Sequence, residues 1–406
     1  MKHPISILLL IFFIHDAFSQ QIASPTPPMG FMTWNYFKDN LTENDVRTIA
    51  DALVSTGLRD LGFNHIFIDD GWQGGRDNRN NLIPDPVKFP SGMKTLSDYV
   101  HSQGLKLGIY SDGAPLTCAG YTGSLHFEDQ DARTFAQWGI DYLKYDYCNA
   151  PSDRETAIAR YAKMAKALKS CGREIILGIC EWGDREPWLW AGKAGGQLWR
   201  TTADVRDKWR SKTKPETPAD LHHLGAGIFD IMNVNASLNK FAGPGGWNDA
   251  DMLVVGLNGK EGPSGDLGGT GCSDIEYQSQ MSLWCLMAAP LMISCDIRNM
   301  NTTTKMILTN KDIIDINQDS RGIQAQRYII DNWHIFTKPL SNGDIAIGIL
   351  NASDSTLIFS MDKIYSEFPD MKFAFDVWKK ERLPVQKNRK VSIVPHETKV
   401  YRLSAK

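Results

Sequence analysis

Histidine is scarce in this chain, nine in 406 residues, and none is spaced with cysteine as in a zinc site. That argues against histidine-based metal hydrolysis. Seven cysteines are too few for a disulfide-built scaffold, and their odd number leaves at least one without an internal partner. With a net charge of −3 and no long basic run, the chain lacks the electrostatic footprint of a nucleic-acid binder. Beyond the first twenty residues no apolar run is long enough to cross a bilayer, so no membrane insertion is expected. No GxGxxG follows the first β-prone run, which counts against a dinucleotide-binding doubly wound sheet.

What is present suits a large folded protein. The chain is 42% hydrophobic and 22% charged, enough to bury a sizeable core. Its start, MKHPISILLLIFFIHDAFSQ, combines a basic residue, an apolar run from Ile5 to Ile14, and Ala17 and Ser19 spaced as in a cleavage site. Residues 1–19 are therefore expected to be a signal peptide, and the mature protein secreted or periplasmic. Asn40, Asn235, Asn301 and Asn351 each open an Asn-x-Ser/Thr tripeptide that a eukaryotic host could glycosylate.

From Gly30 to Ile297 a pattern recurs: a short β-prone run with acidic or aromatic residues at its end, then a stretch of helical periodicity. The runs are GFMTWN, HIFIDDGW, KLGIYSD, DYLKYDYC, EIILGICEW, LWRTTADV, GGWNDADM and APLMISCDI, eight in all. Stretches such as TENDVRTIADALVSTGLRDLG repeat apolar residues at three and four and end at glycine. Eight such units predict a (β/α)8 barrel over residues 20–309. A doubly wound sheet is the alternative. After about residue 310, β-prone runs and the Asn-Gly of PLSNGDIAIGIL predict a C-terminal antiparallel β-sandwich domain, residues 310–406.

In a barrel the strand ends share one face, and here nearly every strand brings a carboxylate to it: Asp69, Asp70, Asp112, Asp146, Glu181, Asp204, Asp249, Asp251 and Asp296. Trp34, Trp72, Tyr110, Tyr145, Trp182 and Trp247 supply aromatic groups. Singly, each has an ordinary explanation as a helix cap or core side chain. Jointly they suit glycoside chemistry, which needs two carboxyl groups in different environments and groups that hold a sugar. A metal site built from carboxylates alone and a non-catalytic sugar-binding barrel are the other readings.

The segments PPMGFMTWN, FIDDGW, LGIYSD, CAGYTGS, YLKYDYC, CEWG, WRTTADV, GGWNDADML and APLMISCDI, in that order, resemble glycoside hydrolase family 27, which holds α-galactosidases and α-N-acetylgalactosaminidases. The resemblance implies a retaining exo-glycosidase that needs no cofactor or metal and whose partner is a galactoside. Asp146 of YLKYDYC would be the nucleophile and Asp204 of WRTTADV the acid/base, with carboxyl groups about 5 to 5.5 Å apart. Lys144, two residues before Asp146, would favour its charged form. Asp69 and Asp70 would bind the 4- and 6-hydroxyls, Trp34 would pack on the apolar face of the ring, and Tyr110, Arg200 and Asp251 would line the pocket. Cys118 and Cys148 would form a disulfide beside the site. A second disulfide common in eukaryotic members has no cysteines here, Phe37 and Gly71 standing in that neighbourhood.

The resemblance also bears on the sugar. In CEWGDR, Glu181 and Trp182 are similar to the α-galactosidase version, where N-acetylgalactosaminidases carry small residues around carbon 2. β-L-Arabinopyranosidases of the same family fill the space of the missing hydroxymethyl group from the DD motif, whereas Asp69 and Asp70 keep it open. The glycine-rich segment from Gly256 to Gln280 is expected to shape the leaving-group side. Whether the chain forms a homo-oligomer is not legible.

Overall fold

The computed structural model describes residues 24–211, 225–260 and 271–406. The expected leader and the middle of the glycine-rich segment lie outside the described residues.

The eight β-prone runs form eight parallel strands: β1 (Met29–Met32), β2 (His65–Ile68), β3 (Lys106–Asp112), β4 (Tyr142–Asp146), β5 (Ile176–Ile179), β6 (Leu198–Arg200), β7 (Trp247–Asp249) and β8 (Leu291–Ile293). They pair in the order β8-β1-β2-β3-β4-β5-β6-β7. A parallel bridge between Leu253 and Ile293, with Leu253 N–H donating to the Met292 carbonyl at 2.8 Å, joins β7 to β8 and closes the ring. This is the (β/α)8 barrel, not the doubly wound sheet.

Local chemistry explains the helix starts. Thr42 and Asp45 form a reciprocal capping box at the head of Glu43–Ser55, Asp153 caps Arg154–Ser170, and Ser273 with Glu276 caps Asp274–Leu286. Each satisfies amide donors that the first turn leaves without carbonyl partners. A short hairpin, Gln73–Arg76 with Leu82–Pro84, was not legible and follows β2.

The C-terminal strands are β9 (Gln326–Ile330), β10 (Trp333–Pro339), β11 (Ile345–Asn351), β12 (Leu357–Ser360), β13 (Phe373–Asp376), β14 (Glu381–Pro384), β15 (Lys390–Ile393) and β16 (Thr398–Ser404). Six make one antiparallel sheet in the order β9-β10-β11-β16-β13-β14, and β12 pairs with β15. Alternation along these strands sends Ile347, Ile349, Tyr401 and Leu403 into the sandwich interior. Ala346, Leu350 and Val400, from the other face, join the barrel's own hydrophobic core. Gly348 sits there because an added Cβ would come within 2.3 Å of the Leu286 side chain.

Two of the four glycosylation tripeptides are structural. Asn235 is fully buried and accepts from the Thr201 hydroxyl, and Asn351 is fully buried and donates to the Ile393 carbonyl. Cys118 and Cys148 are joined, their Cα atoms 5.1 Å apart. The other five cysteines are unpaired. Among the described residues no helix is long and apolar enough to cross a membrane.

Candidate active site

β4 shows how the site is built. Its side chains alternate, and the register places Tyr110 beside Lys144 and Asp112 beside Asp146 on the neighbouring strand. Tyr142, Lys144 and Asp146 share the inward side. Tyr145 and Tyr147 go outward and pack on Tyr161 of the following helix, ring centroids 5.7 and 5.6 Å away. Tyr145 is therefore a core residue, and so are two other aromatics grouped with the sugar site above. Trp72 is buried edge-on against Trp138, and the buried Trp247 donates to the Ser24 carbonyl. Trp34 and Trp182, at strand ends, stay only half-buried.

Two cations organise the carboxylates. Lys144 Nζ donates to Asp69 Oδ2 at 2.9 Å and lies 5.3 Å from the Tyr110 ring centre. Arg200 Nη2 bridges Asp204 Oδ1 at 3.1 Å and Asp251 Oδ2 at 3.0 Å. The same Asp251 oxygen accepts the N–H of Val205, at 2.7 Å, so it steadies the chain one residue beyond Asp204. Asp70 is held from both sides, Oδ1 by Gly71 N–H and Oδ2 by Ala119 N–H. Burial pushes both Asp70 and Asp251 up to about 6. Asp251 (φ 68) and Trp182 (φ 59) hold left-handed backbone that non-glycine residues avoid, so strain collects at this rim.

Asp146 and Asp204 differ sharply. Asp146 is 4% exposed, accepts one bond among the described residues, from Tyr147 N–H at 3.0 Å, and burial pushes it up to about 7 against the pull of Lys144. The sequence reading had the lysine keeping this aspartate ionised. In the structure the lysine is bonded to Asp69, and lost hydration outweighs its field at Asp146. The Asp204 side chain is 46% exposed. What burial it has opposes its charge, but Arg200 and Lys144 outweigh that and hold it below the ordinary aspartate range.

The remaining carboxylates divide. Asp112, which had no assigned role, is buried next to Asp146; burial and that neighbour push it up to about 9. Its Oδ2 accepts the N–H of Cys148, fastening the disulfide end to β3. Glu181 is fully buried, with Oε2 held by the Arg185 side chain and N–H, while Oε1 has no partner among the described residues. Burial pushes it up to about 8. Asp249 accepts from Asp251 N–H, and Asp296 turns to Arg298 and Tyr36. Asp112, Cys118, Asp146 and Cys148 lie close enough to suggest a metal cluster. With both sulfurs tied in a disulfide, two carboxylates remain, a poor fit to the six or more oxygens a hard cation prefers.

A closed barrel whose strand ends gather two carboxyl groups in opposed surroundings, beside a rim of fixed carboxylates, cations and half-buried aromatics, defines a glycoside hydrolase. The family model described as alpha galactosidase A matches residues 26–319, and that of the alpha galactosidase C-terminal beta sandwich domain matches 330–403. The chain belongs to the α-galactosidase family, glycoside hydrolase family 27. It is 41% identical over 384 residues to an alpha-galactosidase from Oryza sativa subsp. japonica, covering 93% of this chain and 85% of the relative. The crystal structure of alpha-galactosidase I from Mortierella vinacea superimposes with a TM-score of 0.84 at 34% identity, over 94% of this chain and 97% of that one. An alpha-galactosidase from Saccharomyces cerevisiae solved with raffinose gives 0.82 at 27% identity, over 94% and 98%.

Proposed function

We propose that the protein removes terminal α-D-galactosyl residues with retention of configuration, through a covalent glycosyl-enzyme intermediate on Asp146. The contrast in exposure carries this reading. A nucleophile meets the anomeric carbon at the bottom of a closed pocket, whereas the acid/base must reach both the leaving group and the incoming water. Asp146 is buried and Asp204 is half-exposed.

In the first step Asp146 Oδ attacks the anomeric carbon while Asp204 gives its proton to the departing glycosidic oxygen. In the second, Asp204 takes a proton from water, which attacks the same carbon and frees Asp146. Arg200 favours a charged Asp204 and burial disfavours a charged Asp146, so the two carboxyl groups stand in the different surroundings that the two roles need.

Asp69 and Asp70 read the 4- and 6-hydroxyls, with Lys144 fixing Asp69 from behind. Each carboxylate has both oxygens fixed by one hydrogen bond apiece, so its remaining lone pairs point in set directions and a sugar whose hydroxyl lies elsewhere finds no acceptor in reach. Trp34 covers the apolar face of the ring, and Tyr110, Arg200 and Asp251 complete the wall. Glu181, whose Oε1 has no partner among the described residues, and the adjacent Trp182 are assigned to reading the substituent at carbon 2. The Cys118–Cys148 bond needs an oxidising compartment, which supports export.

The experiment is a panel of p-nitrophenyl glycosides with NMR detection of the first-formed sugar anomer. Release of α-galactose from the α-galactoside is expected. Turnover of the N-acetylgalactosaminide or β-L-arabinopyranoside in its place would overturn the specificity, and β-galactose as first product would overturn retention.

A further inference from the structure

We infer that Lys88, remote from the reacting atoms, is a positioning residue that sets the sugar-reading end of the pocket. This rests on the galactoside reading above. Lys88 lies between the Gln73–Arg76/Leu82–Pro84 hairpin and the helix Gly92–Ser102. Its main chain is pinned at both ends: its N–H donates to Asp85 Oδ1 at 3.0 Å, and its carbonyl accepts from Glu43 N–H at 2.8 Å.

From that fixed base the ammonium reaches three oxygens. Nζ donates to the Asp39 carbonyl at 2.6 Å, the Gly71 carbonyl at 2.9 Å and the Tyr121 hydroxyl at 3.5 Å. Tyr121 in turn donates to Asp39 Oδ2 at 3.1 Å. An ammonium has three donors, and each finds an acceptor here.

The acceptors belong to the loops after β1, β2 and β3. The first loop carries Trp34, the second Asp69 and Asp70, and the third Ala119, whose N–H holds Asp70 Oδ2 at 2.8 Å. Two of these loops are already in contact. Gly71 has φ +98, and a Cβ there would fall 2.7 Å from Asp39 Cβ, so its carbonyl can turn toward the lysine only because the residue is glycine. Gly71 is covalently next to Asp70. One cation thus ties the platform residue's loop to the hydroxyl-reading pair, through main-chain oxygens that no side-chain substitution elsewhere could remove. Releasing it lets Asp70 and Trp34 shift relative to each other without disturbing Asp146 or Asp204.

The test compares wild type with Lys88→Met and Lys88→Arg, using p-nitrophenyl α-galactoside and β-L-arabinopyranoside and counting working sites by trapping the glycosyl-enzyme. For Lys88→Met, KM for the galactoside should rise about tenfold or more, with kcat per working site within about threefold. Preference for galactoside over arabinopyranoside should fall, and Lys88→Arg should recover part of both. If Lys88→Met does not fold, Tyr121→Phe, which loosens the same node, should move KM in the same direction by less. An unchanged KM and preference, with loss only of thermal stability or of working sites, refutes the inference while leaving the functional reading intact. Wild type inactive on the galactoside refutes that reading, and this inference with it.

Discussion

Lys338 offers a sharp test of how burial sets charge in this fold. It lies on β10, fully buried between the second sheet and the helix Asp274–Leu286. Its one hydrogen bond among the described residues is a long one, 3.5 Å to the Cys285 carbonyl. Burial pushes its pKa down to about 8 from 10.5. The unfolded chain takes up this proton below 10.5, the folded chain only below about 8. Between those values the unfolded state binds more protons, so stability rises with pH; below about 8 the penalty is constant and complete. The gap is worth ~3 kcal/mol at about 1.36 kcal/mol per pH unit. Lys338→Met keeps the volume and removes the charge, and the Cys285 carbonyl already accepts from Ala288 N–H. The variant should therefore be more stable at pH 7 by up to ~3 kcal/mol, or on the order of 4 °C in Tm if a chain of this size melts as one unit. The advantage should shrink steadily from pH 8 to 10.5. Differential scanning fluorimetry of both proteins across pH 6 to 10.5 measures it. A destabilised variant at pH 7, or an advantage that does not change with pH, would show that the lysine is neutralised or solvated in a way the structure does not contain.

Other expectations concern the site and its supports. Asp146→Asn should lower kcat at least about a thousandfold with Tm nearly unchanged, and Asp146→Gly with azide should yield β-galactosyl azide; near-normal turnover would remove Asp146 from the nucleophile role. The working pair carries one proton, and its last proton leaves near pH 7. Wild-type kcat/KM should thus decline as pH rises through about 7; a plateau extending beyond pH 8.5 contradicts this. Asp204→Asn removes a charge that raises Asp146, so with a dinitrophenyl galactoside, whose leaving group needs no acid, the acid limb should move to lower pH. Gly348→Val should cost about 2 kcal/mol or more by overpacking against Leu286, read as a lower urea midpoint.

The barrel was legible because each strand closes with the same kind of signal, and the helices between carry capping residues such as Thr42 and Asp153 that mean the same thing in any fold. The candidate catalytic positions, Asp146 and Asp204, rest on motif order. What local pattern did not reveal was partnership. Alternation along β4 was enough to set Tyr145 and Asp146 on opposite sides, the tyrosine toward Tyr161 in the core and the aspartate toward the site. Trp72 and Trp247 also go inward, since an indole that finds a carbonyl for its N–H is more stably placed in the core than on a rim. Lys144 stood two residues from Asp146 in sequence, but Asp69, far away along the chain, is the carboxylate it bonds. Lys88 was invisible because two of its three acceptors are main-chain oxygens, which carry no side-chain signature, and the third, the Tyr121 hydroxyl, is distant in sequence.

The second sheet meets the barrel through a common core, not across a linker: Ala346, Gly348, Leu350 and Val400 lie in the same cluster as Leu286 and Trp284. For anyone wishing to trim or recombine this enzyme, that joint dictates the cut. A barrel produced alone would turn the oily flank of its Asp274–Leu286 helix to water and be prone to clump, and a foreign sandwich would have to reproduce the notch at Gly348. The two parts are accordingly to be exchanged together or redesigned along the whole seam.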